Sequence, residues 1–427
     1  MERSSKTYQT LVGILKSELV PAMGCTEPIA VAYCAAKARQ TLGCEPDRVL
    51  VEASGNIIKN VKSVFVPHTG GRRGIPAAAA VGIVAGNAER ELEVVSNVTQ
   101  EQIQALDEFL ARVPIEVRPV PQGGPVLEIV VTVYKDDCSA KVRIINHHTG
   151  VALIQKNGET LFKDEPVEES TCEELDYSLL NIESLYDFAE TMVIEDVAPI
   201  FDRQLDYNLA ICDEGLRHKY GANIGKVLLM TQGSDLRARA RAMTAAGSDA
   251  RMNGCELPVV INSGSGNQGI TASVPVYVYW QAMGIPKDRL YRALAISNLT
   301  ALHLKSGIGR LSAYCGAISA GVGSGAAVCY LYGGDIHDVA HTIVNALAIS
   351  SGVVCDGAKA SCAAKISLAV DSGLFGFEMF RSGQQFYDGD GLVSKGVENT
   401  IQNISRLGRE GMEGTDRTII DIMTNNV

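Results

Sequence analysis

Between residues 114 and 162 apolar side chains recur at every second position, in PIEVRPV, VLEIVVTVYK, SAKVRIINHH, VALIQKN and ETLFK, with Gly, Asp and Asn at the breaks. Such alternation describes half-buried strands, and the short breaks describe an antiparallel meander. After about residue 178 the period changes to that of a helix. It holds through 178–195, 196–212, 222–232, 233–250, 268–284, 286–305, 312–332, 335–350 and two C-terminal stretches near 395–424. The two regimes predict an α+β fold: a large all-helical domain beside a smaller α+β domain with an antiparallel sheet. Residues 48–54 (RVLVEAS) supply one more strand and 99–112 an amphipathic helix, so the small domain is expected over 45–163. The acidic stretch 164–177 reads as a linker opening the helical domain, 164–427, and 1–44 as N-terminal helices packing on that domain.

The length, 427 residues, exceeds one ordinary core and agrees with two domains. A net charge of −11 without a basic, aromatic-interleaved patch argues against nucleic acid as a partner. No apolar run reaches the roughly 20 residues that span a bilayer. The Ala- and Gly-rich segments 312–332 and 341–355 are broken by polar residues and read as buried helices. Eleven cysteines are scattered through the chain, and residues 1–20 do not resemble a secretory signal. Reduced thiols and a cytoplasmic location are expected. A homo-oligomer, most simply a homodimer, is expected on base rates.

The stretches 306–330 and 350–366 place Cys315, Cys355 and Cys362 among glycines and alanines, with Ser312, Asp356, Lys359 and Ser361 as polar companions. Thiolates are soft ligands for zinc or iron–sulfur clusters, and three of them leave a fourth coordination position open. The spacing matches no zinc or ferredoxin signature, so on spacing alone buried core cysteines are the stronger reading at this point. Cys25 precedes a helix that Thr26 can cap and Pro28 can start, a position where N–H groups and the helix dipole favour a thiolate. The turn-rich loop 67–76, with Thr69 and Gly70 and with Arg72 and Arg73 nearby, feeds an Ala-rich helix and can hold an anion. So can 262-NSGSGNQG-269, where Asn262, Ser263, Ser265, Asn267 and Gln268 precede another helix. That loop has no GK[ST] and no preceding Rossmann strand, which excludes a nucleotide site. His147-His148 ends a strand and reads as a turn; His303, His337 and His341 read as structural. The chain carries no HExxH, no Ser–His–Asp signature and no lysine in a pyridoxal setting.

The motifs 22-AMGCTEP-28, 55-GNIIKN-60, 69-TGGRRGIPAAAAVG-82, 262-NSGSGNQG-269, 314-YCGA-317 and 355-CDGAKASCAAKI-366 occur in this order over nearly the whole chain. Together they resemble the pyridoxal-independent, iron–sulfur serine dehydratase-like superfamily, and most closely its L-cysteine desulfidase branch. The resemblance implies a [4Fe–4S] cluster on Cys315, Cys355 and Cys362, and Cys25 as proton acceptor. It implies substrate contacts from Glu27, from Thr69 and Gly70, and from Asn262, Ser263, Ser265 and Asn267. The Ser-Ser-Ser-His-Thr substrate motif of serine dehydratases has no copy here, and Cys25-Thr26-Glu27 stands in the comparable place. The implied reaction is β-elimination of a small amino acid, L-cysteine before L-serine, to pyruvate and ammonia, with sulfide leaving from cysteine. The rivals are a serine dehydratase, a non-catalytic amino-acid sensor and a structural zinc protein.

Overall fold

The computed structural model describes residues 1–121, 124–164, 175–233, 235–309 and 311–425. Residues 165–174, most of the expected linker, lie outside them. The chain opens with α1 (Lys6–Glu18), β1 (Pro21–Met23) and α2 (Thr26–Leu42), followed by β2 (Arg48–Ala53), α3 (Gly55–Val61), α4 (Gly74–Ala85) and α5 (Gln100–Arg112). Four more strands and a fifth complete the first half: β3 (Ile115–Pro119), β4 (Glu128–Lys135), β5 (Cys138–Ile145), β6 (Val151–Lys156) and β7 (Glu159–Lys163). The second half is helical: α6 (Ile182–Thr191), α7 (Ala198–Arg217), α8 (Ile224–Gln232) and α9 (Leu236–Met252) lead to the short β8 (Pro258–Val260). Then follow α10 (Gly266–Met283), α11 (Lys287–Ile308), α12 (Gly316–Leu331), α13 (Ile336–Ser350), α14 (Cys362–Arg381), α15 (Val397–Arg406) and α16 (Glu413–Asn425). The α+β class expected from the sequence is the one observed. No described helix is long and apolar enough to cross a membrane.

The main sheet has the order β3-β2-β4-β5-β6-β7. The meander runs through β4 to β7, closed at one turn by Asn157-Gly158, both at positive φ as a two-residue hairpin turn requires. Strand β3 departs from the expected meander. It pairs parallel to β2 at the sheet edge, while β4 pairs antiparallel to β2 on the other side. The reason is the connection: α3, α4 and α5 lie between β2 and β3, and a helical crossover returns the chain parallel. Helix α5 starts where expected, with Thr99 and Gln102 forming a reciprocal capping box.

Two cores follow from this layout. Helices α2, α4 and α5 cover the sheet, with Ile29, Val31, Ala78, Phe109, Val131 and Val142 among their shared buried residues. The larger core joins α1 to the helices of the second half through Leu11, Leu15, Phe188, Phe201, Leu294 and Val328. The N-terminal segment is thereby divided, α1 belonging to the helical core and α2 to the sheet. At the centre of the helical core α12 is buried along its length. Its partner α14 did not stand out in the sequence, because its small-residue face blends with the glycine-rich stretches around it. The two helices meet through glycines. A methyl group at Gly373 would lie 2.0 Å from the Gly321 carbonyl oxygen, and one at Gly325 would lie 2.3 Å from the Gly373 carbonyl. Backbone atoms cannot yield as a flexible side chain can. Gly373→Ala is therefore expected to destabilise the protein by about 1–3 kcal/mol, the usual cost of overpacking a close-packed core. An unchanged Tm in a calorimetric scan would show that α12 and α14 have room to spare.

Candidate active site

The two cores meet at the N-terminal ends of several helices, and each end is held by short-range pairing. Strand β1 pairs antiparallel with β8, setting Ala22 opposite Val259, so the start of α2 lies beside the loop that opens α10. Thr26 Oγ1 seals this junction by donating to the Gly264 carbonyl at 2.8 Å. Gly24, at φ +60°, has no room for a side chain: a Cβ would stand 2.3 Å from Pro67 Cγ. Across the cavity, Tyr314 forms an isolated antiparallel bridge with Val354. Cys315 N donates to the Val353 carbonyl at 3.1 Å and Cys355 N to the Ala313 carbonyl at 2.6 Å, so the two cysteines are pinned on neighbouring strands of chain. Asp356 locks the following loop. It accepts from Lys359 at 2.6 Å and also pairs with Lys365, and these contacts hold its carboxyl low despite burial.

These elements enclose a cavity of about 110 Å³. Cys25 and Glu27 come to it from α2, Asn56, Lys59 and Asn60 from α3, and Arg251 from the end of α9. Ser265, Asn267 and Gln268 come from the start of α10, and Cys315, Cys355 and Cys362 from the far wall. Cys25 also shares a small apolar cluster with Val64 and Met252, against which Cys362 packs. Of the residues singled out in the sequence, Cys25, Glu27, Ser265, Asn267, Cys315, Cys355 and Cys362 thus face one space. Thr69, Gly70, Asn262 and Ser263 are not part of its lining. Thr69 Oγ1 is spent inside its own loop, donating to the Val66 carbonyl and accepting from Arg72 N. Asn262 is buried behind the cavity, where its side-chain amide donates to Asn298.

Cys25 is the N-cap of α2, but its sulfur makes no capping hydrogen bond. It donates instead to Glu27 Oε2 at 3.0 Å. Burial pushes the Cys25 thiol well above its usual range, and the Glu27 carboxylate adds to the push, against a smaller opposing effect of Arg251. The expected resting thiolate is therefore corrected to a thiol: desolvation outweighs the helix dipole. Glu27 has the opposite bias. Burial opposes its ionisation, but His148, the Cys25 thiol, its own backbone N–H and Arg251 together hold it below the usual carboxylate range. Asn60 Nδ2 fixes the other carboxylate oxygen, donating to Oε1 at 3.0 Å. His148, which reads in the sequence as a turn residue, thus acts on this carboxylate.

The three cysteines of the far wall are free thiols. Burial, with Cys355 nearby, pushes Cys315 up to about 12. Cys315 is the N-cap of α12 and Cys362 the first residue of α14, so both thiols sit at helix N-termini. Among the described residues the three sulfurs do not form a set within 4.8 Å of one another, the spacing needed to share a single ion. The set that meets that spacing, Asp335, His337 and Asp338, lies on the surface at the start of α13. Its carboxylates are occupied in that helix's capping box. Lys59, which lines the cavity, is paired with Asp416 of α16 at 2.5 Å.

Arg251 had no signal in the sequence. It ends a helix that also carries Arg237, Arg239 and Arg241, and nothing in the sequence sets it apart from them. Asn56, Lys59 and Asn60 were visible as part of 55-GNIIKN-60, without a role.

The profile of the serine dehydratase alpha chain family matches residues 89–421. Similar full-length chains include a UPF0597 protein of Desulfitobacterium hafniense, 53% identical over 425 residues, covering 100% of this chain and 99% of the relative. Another, from Lachnoclostridium phytofermentans, is 49% identical and covers 98% and 100%. A third, from Treponema denticola, is 44% identical and covers 99% of each. The match takes in the cysteine-bearing wall, α9 and the start of α10, and on this evidence the chain belongs to the serine dehydratase alpha chain family.

Proposed function

We propose that the protein is an L-cysteine desulfidase, converting L-cysteine and water to pyruvate, ammonia and hydrogen sulfide. The observation that carries this reading is the single cavity shared by the Cys25–Glu27 pair and the thiols of Cys315, Cys355 and Cys362. Three soft thiol donors on one wall are the ligand chemistry of an iron–sulfur cluster with one iron left open. Two of the thiols lie at helix N-termini, which stabilise anionic sulfur. The Lys365 ammonium acts on Cys315 and Cys362. Gly316, Ala317, Gly357 and Ala358 leave the wall without bulk. A cluster held there by three thiolates would supply an open iron, a Lewis acid for the β-substituent of the substrate.

The chain's own residues account for the proton. Glu27, ionised and fixed by Asn60, can take the Cys25 proton along the existing hydrogen bond. The resulting thiolate is scarce, but the same burial that makes it scarce makes it a stronger base for a weakly acidic α-proton. Loss of that proton and of the β-substituent breaks the Cα–H and Cβ–S bonds and leaves aminoacrylate. This tautomerises to an imine and takes up water, giving pyruvate and ammonia. The family match favours L-serine as a second substrate reading, with water leaving in place of sulfide.

Anaerobic reconstitution with iron and sulfide, followed by sulfide and pyruvate assays, separates the two readings. Sulfide from L-cysteine, well above the pyruvate formed from L-serine, is expected; pyruvate from L-serine alone would make the protein a dehydratase. Cys25→Ser is expected to lower turnover by at least about a hundredfold, the lower range for an acid–base group, with the cluster absorbance intact. Loss of the absorbance would make Cys25 a ligand. Glu27→Gln removes a negative charge beside the thiol, so Cys25 should ionise at lower pH. In a pH series of alkylation read by mass spectrometry, its midpoint should move down; an unmoved midpoint would mean that Glu27 does not govern the thiol.

A further inference from the structure

Arg251 is a guanidinium in an unusual position. It is 3% exposed, it lines the cavity, and its Nε has no hydrogen-bond partner among the described residues. A buried cation without a hydrogen bond costs several kcal/mol in a folded protein unless something else compensates it. Its surroundings keep space around it. A Cβ on Gly266 would lie 2.4 Å from Arg251 Nε, so the first residue of α10 must be glycine for the guanidinium to reach where it does. Its field reaches the reacting pair, lowering both Cys25 and Glu27. Among the described residues Glu27 makes no hydrogen bond or ion pair with it; its carboxylate is held by Cys25 and Asn60. Ser265, the N-cap of α10, makes no side-chain capping bond and lines the same cavity. The neighbouring amide oxygens of Asn267 and Gln268 are buried and unpartnered too, and they call for a donor.

The geometry points to Arg251 as the residue that binds the substrate's α-carboxylate, with the Asn267 and Gln268 amide oxygens receiving the α-ammonium. The pattern of one anion acceptor and two orphaned acceptors for a cation, close to Cys25, fits a zwitterionic α-amino acid. A thiol lacking the carboxylate would leave Arg251 without its partner and bind independently of it. This assignment rests on the elimination reading above, in which the α-carbon must face Cys25 while the β-substituent faces the far wall. Arg251 is a binding residue in this account; the proton is handled by Cys25 and Glu27.

The test uses the reconstituted protein and two thiols that are not substrates, 3-mercaptopropionate (carboxylate, no amine) and cysteamine (amine, no carboxylate), with binding read from the change in cluster absorbance. Replacing Arg251 with Met keeps the volume and removes the charge. The affinity of 3-mercaptopropionate is expected to fall at least tenfold in R251M, about what a charge-assisted hydrogen bond contributes, while that of cysteamine stays within twofold. R251K is expected to recover part of the loss. The Tm of ligand-free R251M should stay level or rise, because an uncompensated buried charge has been removed; a purely structural arginine would lower it. Equal loss for both thiols together with a lower Tm, or unchanged binding of 3-mercaptopropionate, overturns the assignment and leaves the elimination reading standing. Failure of both thiols to perturb the cluster of the unmodified protein overturns the elimination reading and the assignment with it.

Discussion

Four helices begin at one cavity: α2 after Cys25, α10 after Ser265, α12 after Cys315 and α14 at Cys362, and none of the four has a side-chain cap. Each helix start carries a partial positive charge. Their convergence makes a pocket suited to anions within an otherwise acidic protein. It depends on backbone contact between α12 and α14, where Gly321, Gly325 and Gly373 let carbonyls of one helix touch the other. With side chains at those positions the two helices would stand further apart, and Cys315 and Cys362 with them. The small-residue composition of 306–330 and 350–366 is therefore a geometric requirement of the site.

Within that pocket burial sets the roles. Cys25 and Glu27 are neighbours in sequence and in space, yet burial drives the thiol up while surrounding charges hold the carboxylate down. The proton stays on sulfur at rest, and the carboxylate that accepts its hydrogen bond stands 3.0 Å away. Two titrating groups with environments that push them apart are a common basis for acid and base assignments. The pair sits on α2, which packs on the sheet, and the thiols of the far wall sit on the helical core. The site therefore exists only where the two cores are held together, by β1 with β8, by Thr26 on Gly264, and by Lys59 on Asp416.

Much of this was legible in the sequence because it rests on local chemistry. Period-two alternation gave the strands, the amphipathic pattern of 99–112 gave α5, and Cys25, Cys315, Cys355 and Cys362 stood out by type and surroundings. What escaped depends on long-range placement. Strand β3 reads like the others, and only its helical crossover decides that it pairs beyond β2. Helix α14 hides among glycines, and Arg251 hides among other arginines until burial separates it from them. Thr69 and Asn262 carry suitable chemistry but spend it on neighbouring backbone and side chain. The thiolate expected at Cys25 failed because a helix N-terminus is visible in sequence and desolvation is not.

The central claim is that the three thiols hold a cluster with one iron open to substrate beside Cys25. Mössbauer spectroscopy of protein reconstituted anaerobically with iron-57 tests it most directly, before and after addition of L-cysteine. The account predicts that the spectrum of a single iron changes on addition while the remaining irons keep theirs. A spectrum that L-cysteine leaves unchanged, or iron that does not assemble into a cluster at all, would contradict it.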